Sequence, residues 1–502
     1  MKKVLALLTS LLLIVSLVAG CGSQKAETKP AKDSLVMGTT SIISSLDVAK
    51  GQYAADFVLR RCLYDPLIFV DLLTGEVSPR IAERYELSND KLTYTFYLRK
   101  DIKMHDGTNL TAKDVKFSLD LTKESSDVGK NLALMDSAEI VDDYTVKVTL
   151  TTPSEAFLKS LSNVFILSAA AYEKLGATDY SHAPVGSGPY KYVSYDEGAK
   201  VVLTRYDDYY RGPAPIKDVE VRVFADANSL SVAMRSGEVD IATPIAAVNS
   251  SDVTDGGAII TQTKTTKYVM ATMNCTTAPF DNVLVRQAIN YALDRQFILD
   301  TCYEGYGVAT SVIFSSTLES TKGAFEYNFN AEKAKELLKQ AGITLPYKAP
   351  FKLSTYAGCK AEAEAVQACL ANIGFNVEIE IIEGGTLISG FAQGTVPFGI
   401  VRSGTALNDE QQYTNMFTPA GIGGMNYSRF TNDEITVLFD KANTESDSAK
   451  RTEAYKNVLS KIQEQAPYAM IYELPDLNAS NKDLNVNWGY NGLYYLYDFS
   501  WK

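Results

Sequence analysis

Apolar and polar residues follow a regular order in the second half of the chain. Residues 351–358 alternate as a half-buried β-strand does. The next segment, residues 361–373, places its larger apolar side chains at helical spacing, and Gly374 marks its end. Alternation returns over residues 375–382. A strand, a helix and a second strand in this order predict a right-handed β-α-β unit with two parallel strands.

An earlier segment has the same pattern. Residues 219–224 alternate as a strand, and residues 239–242 form a second strand-like run. Between them the sequence predicts a helix, with Asn228 as its N-cap and Gly237 as its stop signal. Asn330 is predicted to cap a further helix in the same way. Together these patterns indicate two α/β lobes with mixed sheets.

The position of a polar segment suggests where a ligand could bind. Residues 398–401, Phe-Gly-Ile-Val, are typical of a short buried strand in the second lobe. Residues 402–413, which follow, are rich in hydroxyl, amide and acidic side chains. Ligands of open α/β sheets bind beyond the carboxyl ends of the strands. We therefore predict that this segment contributes to a ligand cleft.

Residues 66–184 have a different character. Their sequence predicts strands, tight turns and a helix capped by Thr111, with Asp114 three residues later as in a capping box. A further strand is predicted over residues 144–150. We assign residues 66–184 to a satellite α+β subdomain.

The start of the chain is typical of a secretory signal over residues 1–20, with two lysines before an apolar run. The residues before Cys21 resemble a bacterial lipobox, which implies that Cys21 becomes a lipidated N-terminus; the alternative is an ordinary signal peptide with a chance cysteine. Residues 21–33 hold too few apolar side chains for a core and predict a flexible tether. We expect a protein outside the cytoplasm, held on the outer face of the membrane only by this lipid.

The composition argues against some classes of partner and against a disulfide-bonded fold. The formal net charge is -12 at pH 7 without a Lys/Arg-rich stretch, which argues against a nucleic-acid partner. Beyond the signal, no stretch approaches the ~18 apolar residues of a membrane-spanning helix. The cysteines other than Cys21 are odd in number and irregularly spaced, so we predict buried thiols rather than a disulfide framework. Cys275 and Cys302 are the one pair worth checking.

The sequence offers little to catalysis. Neither of its two histidines, His105 and His182, lies in a metal-binding or catalytic motif. Phosphate-binding, dinucleotide-binding and G-x-S-x-G motifs are absent. Residues 88–91 fit the S-x-x-K motif of penicillin-binding enzymes, but their Asn-Asp pair is typical of a turn and the companion K-T-G is missing. We therefore predict no enzyme, no metal site and no cofactor.

Several blocks of the sequence resemble, in the same order, the solute-binding proteins of peptide/nickel ABC importers. The first block is residues 78–120, whose His-Asp-Gly turn and Asp-Val-x-Phe-Ser helix are similar to the family signature. Further blocks follow at residues 186–191, 205–226, 278–299, 329–342 and 427–442. Together they span most of the chain after the tether, which makes the joint resemblance specific.

This resemblance implies an α/β, bilobal periplasmic-binding-protein type II (cluster C) fold with an extra α+β subdomain in the first lobe. The implied boundaries are residues 34–65, 185–265 and 476–502 for the first lobe, 66–184 for its satellite subdomain and 266–475 for the second lobe. The chain would cross between the lobes near residues 265–275 and 468–475. A ligand would be enclosed between the lobes.

The resemblance also implies a transport function. A monomer would bind a short peptide or an amino-acid derivative, and its closed form would dock on a permease of two membrane subunits served by two cytoplasmic ATPases. One alternative is the same fold with a nickel-chelator complex or an oligosaccharide, since two histidines alone give poor support for a nickel site made of protein ligands. A lipid-anchored sensor without a transport role is another alternative.

The predicted ligand residues centre on the segment after residue 401. In the peptide-binding branch of the family, this loop typically carries a tryptophan and an Asp-Tyr-x-Asp-Pro run, whose aspartate pairs with the ligand's ammonium group. This chain lacks that tryptophan and any Asp-Pro there, so Asp409 is either the ammonium anchor or a helix cap. Arg402 either holds a ligand carboxylate or pairs with a framework acid. The predicted ligand-binding residues are Arg402, Ser403, Gly404, Thr405, Asn408, Asp409, Tyr413, Thr40, Ser41 and Asn274.

Overall fold

The computed structural model describes residues 32–51, 53–71, 76–154, 157–405, 409–445, 447–490 and 494–502. The predicted signal peptide, the predicted lipidation site Cys21 and the predicted ligand residue Asn408 lie outside these residues. Within the described part of the chain, no helix is long and apolar enough to cross a membrane.

Strands predominate up to residue 223, and helices connect most of the strands after it. The strands are β1 Ser34–Thr39, β2 Asp65–Pro66, β3 Ile68–Val70, β4 Val77–Pro79, β5 Ala82–Leu87, β6 Thr93–Leu98, β7 Met135–Asp142, β8 Thr145–Leu150, β9 Phe165–Ile166, β10 Tyr190–Asp196, β11 Lys200–Arg205, β12 Asp218–Val223, β13 Ile241–Ala242, β14 Ala258–Met273, β15 Val308–Ala309, β16 Tyr347–Thr355, β17 Phe375–Ile381, β18 Phe398–Gly404, β19 Tyr468–Asn481, β20 Leu484–Asn485 and β21 Ser500–Trp501. The α-helices are α1 Ala54–Leu63, α2 Ala112–Glu124, α3 Phe157–Leu161, α4 Ala169–Tyr180, α5 Ala227–Ser236, α6 Ser250–Asp255, α7 Val283–Ala292, α8 Arg295–Tyr303, α9 Ala331–Gln340, α10 Lys360–Asn372, α11 Gly384–Gln393, α12 Thr414–Phe417, α13 Asp433–Thr444 and α14 Ser448–Gln465.

The largest sheet has the strand order β10-β11-β12-β1-β13-β19-β14-β18-β16-β17, with β15 also paired to β19. At its centre, β14 and β19 are long antiparallel neighbours whose register shifts between Thr263 and Lys267. On one side of this shift β19 pairs with β13, and on the other β14 pairs with β18. β14 and β19 therefore join two halves of the sheet, which we call the first lobe (β10 to β13 and β1) and the second lobe (β16 to β18).

The structure confirms the β-α-β unit predicted in the second lobe. β16 and β17 are parallel neighbours, and α10 connects them. The helix buries Val366 and Leu370 completely, as its helical spacing predicts. The preceding helix, α9, also begins as predicted, because the Asn330 side chain accepts a hydrogen bond from the Lys333 N–H at 2.9 Å.

In the first lobe, β12 and β13 both pair parallel with β1, so α5 connects two parallel strands as predicted. The predicted cap of this helix is wrong. Asp226, and not Asn228, is the N-cap, because its carboxylate accepts the Ser229 N–H at 2.8 Å. Asp226 still has extended backbone, so the helix begins directly after it and Asn228 lies in the first turn. Gly237 ends the helix in the left-handed conformation at a φ of 76°.

A separate antiparallel sheet, in the order β5-β6-β8-β7, follows the first strands of the chain. Its helix α2 begins with the predicted capping box, in which the Thr111 N–H donates to the Asp114 carboxylate at 2.9 Å. Side chains of α2 and α3 share one buried cluster with Phe96 and Val146 of this sheet. We call this sheet, with α2 and α3, the satellite.

The cysteines of the described residues are free thiols, Cys275 and Cys302 included. Cys62, Cys359 and Cys369 are buried, as predicted, whereas Cys275 and Cys302 are half-buried. Burial raises the pKa of the Cys62 thiol to about 12, which makes it a poor nucleophile at neutral pH.

Candidate ligand site

A cavity of about 630 Å³ lies between the two lobes. Its first-lobe wall is formed by Thr40, by Ala227 and by residues 244–248. Thr40 directly follows β1, Ala227 opens the helix after β12, and residues 244–248 follow β13. Because these three strands are parallel, their carboxyl ends meet at one edge of the sheet, which is where open α/β sheets hold their ligands.

The second-lobe wall comes from two elements. Arg402 and Ser403 lie at the carboxyl end of β18, and Cys302 and Tyr303 end α8. β18 is parallel to β16, so this wall also lies at the carboxyl end of a parallel strand pair. Burial raises the pKa of the Cys302 thiol to about 12. Cys302 therefore stays protonated at neutral pH and is a poor nucleophile.

The strand register explains why Arg402 faces the cavity. The first four residues of β18, Phe398 to Val401, are buried, and the strand becomes polar at Arg402. Arg402 lies opposite Val269, and Gly404 lies opposite Lys267 on β14. Residues opposite each other share a face of the sheet, so Arg402 and Lys267 project on the same side. The Arg402 side chain keeps 37 % of its surface exposed there.

A buried carboxylate holds the back of the Arg402 guanidinium. Glu362, in the first turn of α10, is 1 % exposed, and its Oε1 accepts from Arg402 Nη2 at 2.7 Å and from Nε at 3.2 Å. The Tyr472 hydroxyl donates to the same oxygen at 2.8 Å. Burial lowers the pKa of Arg402, but the Glu362 carboxylate outweighs this effect and the net pKa is raised. The guanidinium is therefore a fixed positive charge at the cavity wall.

The central strands supply a second ion pair to the cavity. Lys267 Nζ lies 2.7 Å from Asp476 Oδ1, and both residues line the cavity together with Leu474. Lys267 is 52 % exposed, so this pair is well solvated. Since Lys267 is on β14 and Asp476 on β19, the pair lies where the chain passes between the lobes.

The structure brings together Thr40, Arg402 and Ser403 of the predicted ligand residues. Ser41 follows Thr40 in sequence, but its hydroxyl accepts the Ala55 N–H at the start of α1. Gly404 pairs with β14, and Thr405 is buried with its carbonyl accepting the Thr266 hydroxyl. The latter three residues therefore make framework contacts around the cavity.

Three further predicted residues lie away from this cavity. Asp409 caps a short 3-10 helix through the Gln411 N–H and forms an ion pair with Lys159 at 3.4 Å. Tyr413 is 1 % exposed, stacks on Phe314, and its hydroxyl accepts the Ser315 N–H at 3.1 Å. Asn274 is buried, and its side-chain amide donates to a carbonyl oxygen at 3.2 Å. The cap that the sequence suggested for Asp409 is thus present.

The sequence did not indicate Glu362, Tyr472, Lys267 or Asp476 as parts of a site. The sequence does contain an indication for Glu362. This residue lies four positions before Val366, so it places a charge on the same face of α10 as the buried apolar side chains. A carboxylate on such a face predicts a buried cationic partner. For the other three residues the contact depends on which strands are neighbours, and the local pattern carries no such information.

The residues that the sequence suggested for catalysis make contacts that belong to the fold. Burial lowers the pKa of His105 to about 4, and its Nε2 lies 2.9 Å from the Gly188 carbonyl oxygen. Ser88 Oγ donates to Asp90 Oδ1 at 2.5 Å and accepts the Thr93 N–H at 2.9 Å, which are the contacts of a turn. His182 is partly exposed and lies 3.3 Å from Glu197.

Two lobes joined by two central strands, with a cavity at the carboxyl ends of both sets of parallel strands, define a bilobal solute-binding protein. The chain belongs to the bacterial extracellular solute-binding proteins, family 5, because the middle region of that family matches residues 76–424. HbpA2 from Haemophilus parasuis has a similar structure, with a TM-score of 0.83 and 26 % identity over 93 % of this chain and 100 % of its own. The predicted family and fold are confirmed.

Relatives of similar length are named for different ligands. A heme-binding protein A of Haemophilus influenzae is 28 % identical over 81 % of this chain and 80 % of its own length. A dipeptide-binding protein of Escherichia coli is 27 % identical over 82 % of this chain and 83 % of its own length. This chain is thus a solute-binding protein of ABC importers, and its relatives do not specify one ligand.

Proposed function

We propose that this protein captures a short peptide or an amino-acid derivative by its carboxylate group and delivers it to an ABC permease. The observation that carries the proposal is the Arg402 guanidinium, which lines the cavity while Glu362 holds it from behind. The resemblance of the chain to a dipeptide-binding protein supports the same ligand class.

The hydrogen bonds of Arg402 leave one edge of the guanidinium for a ligand. The group has five N–H donors, and Glu362 takes one on Nε and one on Nη2. The edge formed by Nη1 and the second Nη2 proton is the natural site for a carboxylate, which accepts two parallel hydrogen bonds. A carboxylate bound there would not displace Glu362.

The rest of the cavity suits a small ligand with an apolar part. Ile245, Val248 and Leu474 offer apolar surface, while Thr40 offers a hydroxyl group. The volume of about 630 Å³ is within the range of roughly 300–1,000 Å³ typical of small-molecule sites. A ligand with one carboxylate, one apolar side chain and a few amide groups would match this lining.

The location outside the cytoplasm and the lipid anchor belong to the same proposal. They are supported by the charge, apolar run and cysteine of residues 1–21. A Cys21→Ala variant is expected to leave the membrane fraction, and mass spectrometry of the wild-type N-terminus is expected to show a diacylglyceryl cysteine. Absence of this lipid from the wild-type N-terminus would contradict lipid anchoring.

A thermal-shift screen, followed by calorimetry, tests the ligand class. Dipeptides and amino-acid derivatives are compared with their carboxamide analogues, which have the same shape but no negative charge. Oligosaccharides and nickel chelates serve as the other ligand classes. We expect binding of free acids, weak binding of amides, and loss of acid binding in Arg402→Met. Arg222, whose ion pairs with Glu220 and Glu238 lie outside the cavity lining, provides the matched control Arg222→Met. Equal binding of acids and amides would contradict the proposal.

A further inference from the structure

An ion pair joins the satellite to the second lobe. Lys159 Nζ lies 3.4 Å from Asp409 Oδ2, although the two residues are 250 positions apart in the chain. We propose that this pair is a latch that stabilises the closed arrangement of the lobes before any ligand binds. Asp409 is then a conformational residue, in addition to its role as a cap.

Each partner is held by a different hydrophobic core. Lys159 lies on α3, whose Phe157 and Leu161 are buried in the satellite cluster. Asp409 opens the short helix that leads to Tyr413, which is buried in a cluster of the second lobe. The pair therefore connects two independently packed bodies, and it can form only when these bodies stand close together.

The surroundings of the pair favour a measurable effect. The side chains of Lys159 and Asp409 are only 23 % and 27 % exposed, so solvent screens their attraction less than that of a fully exposed pair. Asp409 is also oriented by its hydrogen bond from the Gln411 N–H at 2.9 Å. A contact present in the closed state and lost in the open state shifts the equilibrium towards the closed state.

The latch can be tested without a ligand, so the result is independent of the proposed function. Fluorophores are attached through clickable unnatural amino acids at Lys174 on α4 and Lys441 on α13, which are both exposed. Single-molecule energy transfer then reports the ratio of open to closed molecules. We expect Lys159→Met to raise this ratio about threefold, as suits a partly exposed ion pair. Asp409→Asn is expected to do the same, because asparagine preserves the cap but removes the charge.

A double-mutant cycle separates the latch from unrelated effects. If the two side chains act on each other, the double variant Lys159→Met, Asp409→Asn will open no further than either single variant. Lys113→Met is the matched control, because it breaks the 3.0 Å ion pair with Glu173 on the same side of the cleft. Unchanged energy transfer in Lys159→Met, additive single effects, or an equal shift in Lys113→Met would each overturn the inference.

Discussion

Arg402 and Asp409 both belong to the polar segment of residues 402–413. Their ion pairs differ in where the partner lies and in how exposed it is. The partner of Arg402 is Glu362, which is 1 % exposed and belongs to the same lobe. The partner of Asp409 is Lys159, which belongs to the satellite and is 23 % exposed. The first pair is a permanent part of a wall, whereas the second exists only in one arrangement of the lobes. A charged residue whose partner lies in the same lobe can thus hold a ligand, whereas one whose partner lies in another body responds to the movement of the lobes.

The largest expected difference between the two pairs is in stability. Arg402→Met leaves the Glu362 carboxylate buried without a cation, so we expect the free energy of unfolding to fall by about 3 kcal/mol. Lys159→Met leaves a partly solvated carboxylate and should cost less than about 1 kcal/mol. Urea unfolding measures both. Adding Glu362→Met to Arg402→Met should recover most of the loss, and failure to recover it would show that the cost has another origin.

The next largest effect is on the recognition of carboxylates. Arg402→Lys keeps the positive charge but loses the planar fork, so the preference for a dipeptide over its carboxamide should fall about tenfold. Calorimetry with both ligands measures this preference. Asp409→Asn serves as the comparison and should leave the preference unchanged. An unchanged preference in Arg402→Lys would mean that charge alone, without geometry, selects the acid.

A smaller effect is expected when Glu362 is altered. Glu362→Gln keeps the shape of the side chain but weakens its hold on Arg402, so the same preference should fall about threefold. Tyr472→Phe removes one of the hydrogen bonds to Glu362 and should act in the same direction but less strongly. A rise in the preference would show that Glu362 mainly neutralises Arg402 and does not orient it.

The smallest effect distinguishes two roles for Asp409. If the pair is a latch, Lys159→Met and Asp409→Asn should both weaken ligand binding by no more than about threefold, through a smaller closed population. If Asp409 instead binds the ammonium group of a peptide, Asp409→Asn should abolish binding and Lys159→Met should strengthen it by removing a competitor. Titration of both variants with the same dipeptide separates these outcomes by their signs.

Local features of the fold could be predicted because they depend on neighbours in sequence. The β-α-β unit of residues 351–382 and the caps at Asn330 and Thr111 are found as predicted. Asn228 shows the limit of such reasoning, because Asp226 and Asn228 lie two positions apart, both residue types cap helices well, and the backbone selects Asp226. Arg402 could be placed at the cavity because a polar residue that ends a buried strand stands at the carboxyl end of a sheet.

The sequence by itself determined the family, the β-α-β units and the polar side chains that follow the buried run of residues 398–401. Only the tertiary structure decided which of them meet. Tyr472 and Arg402 lie on strands that are neighbours of β14 on opposite sides, and Glu362 comes from a helix packed over the same sheet. Likewise, Lys159 reaches Asp409 only because the satellite stands against the second lobe. These contacts depend on strand order and on the arrangement of separate cores, which short-range patterns of apolar and polar residues do not encode.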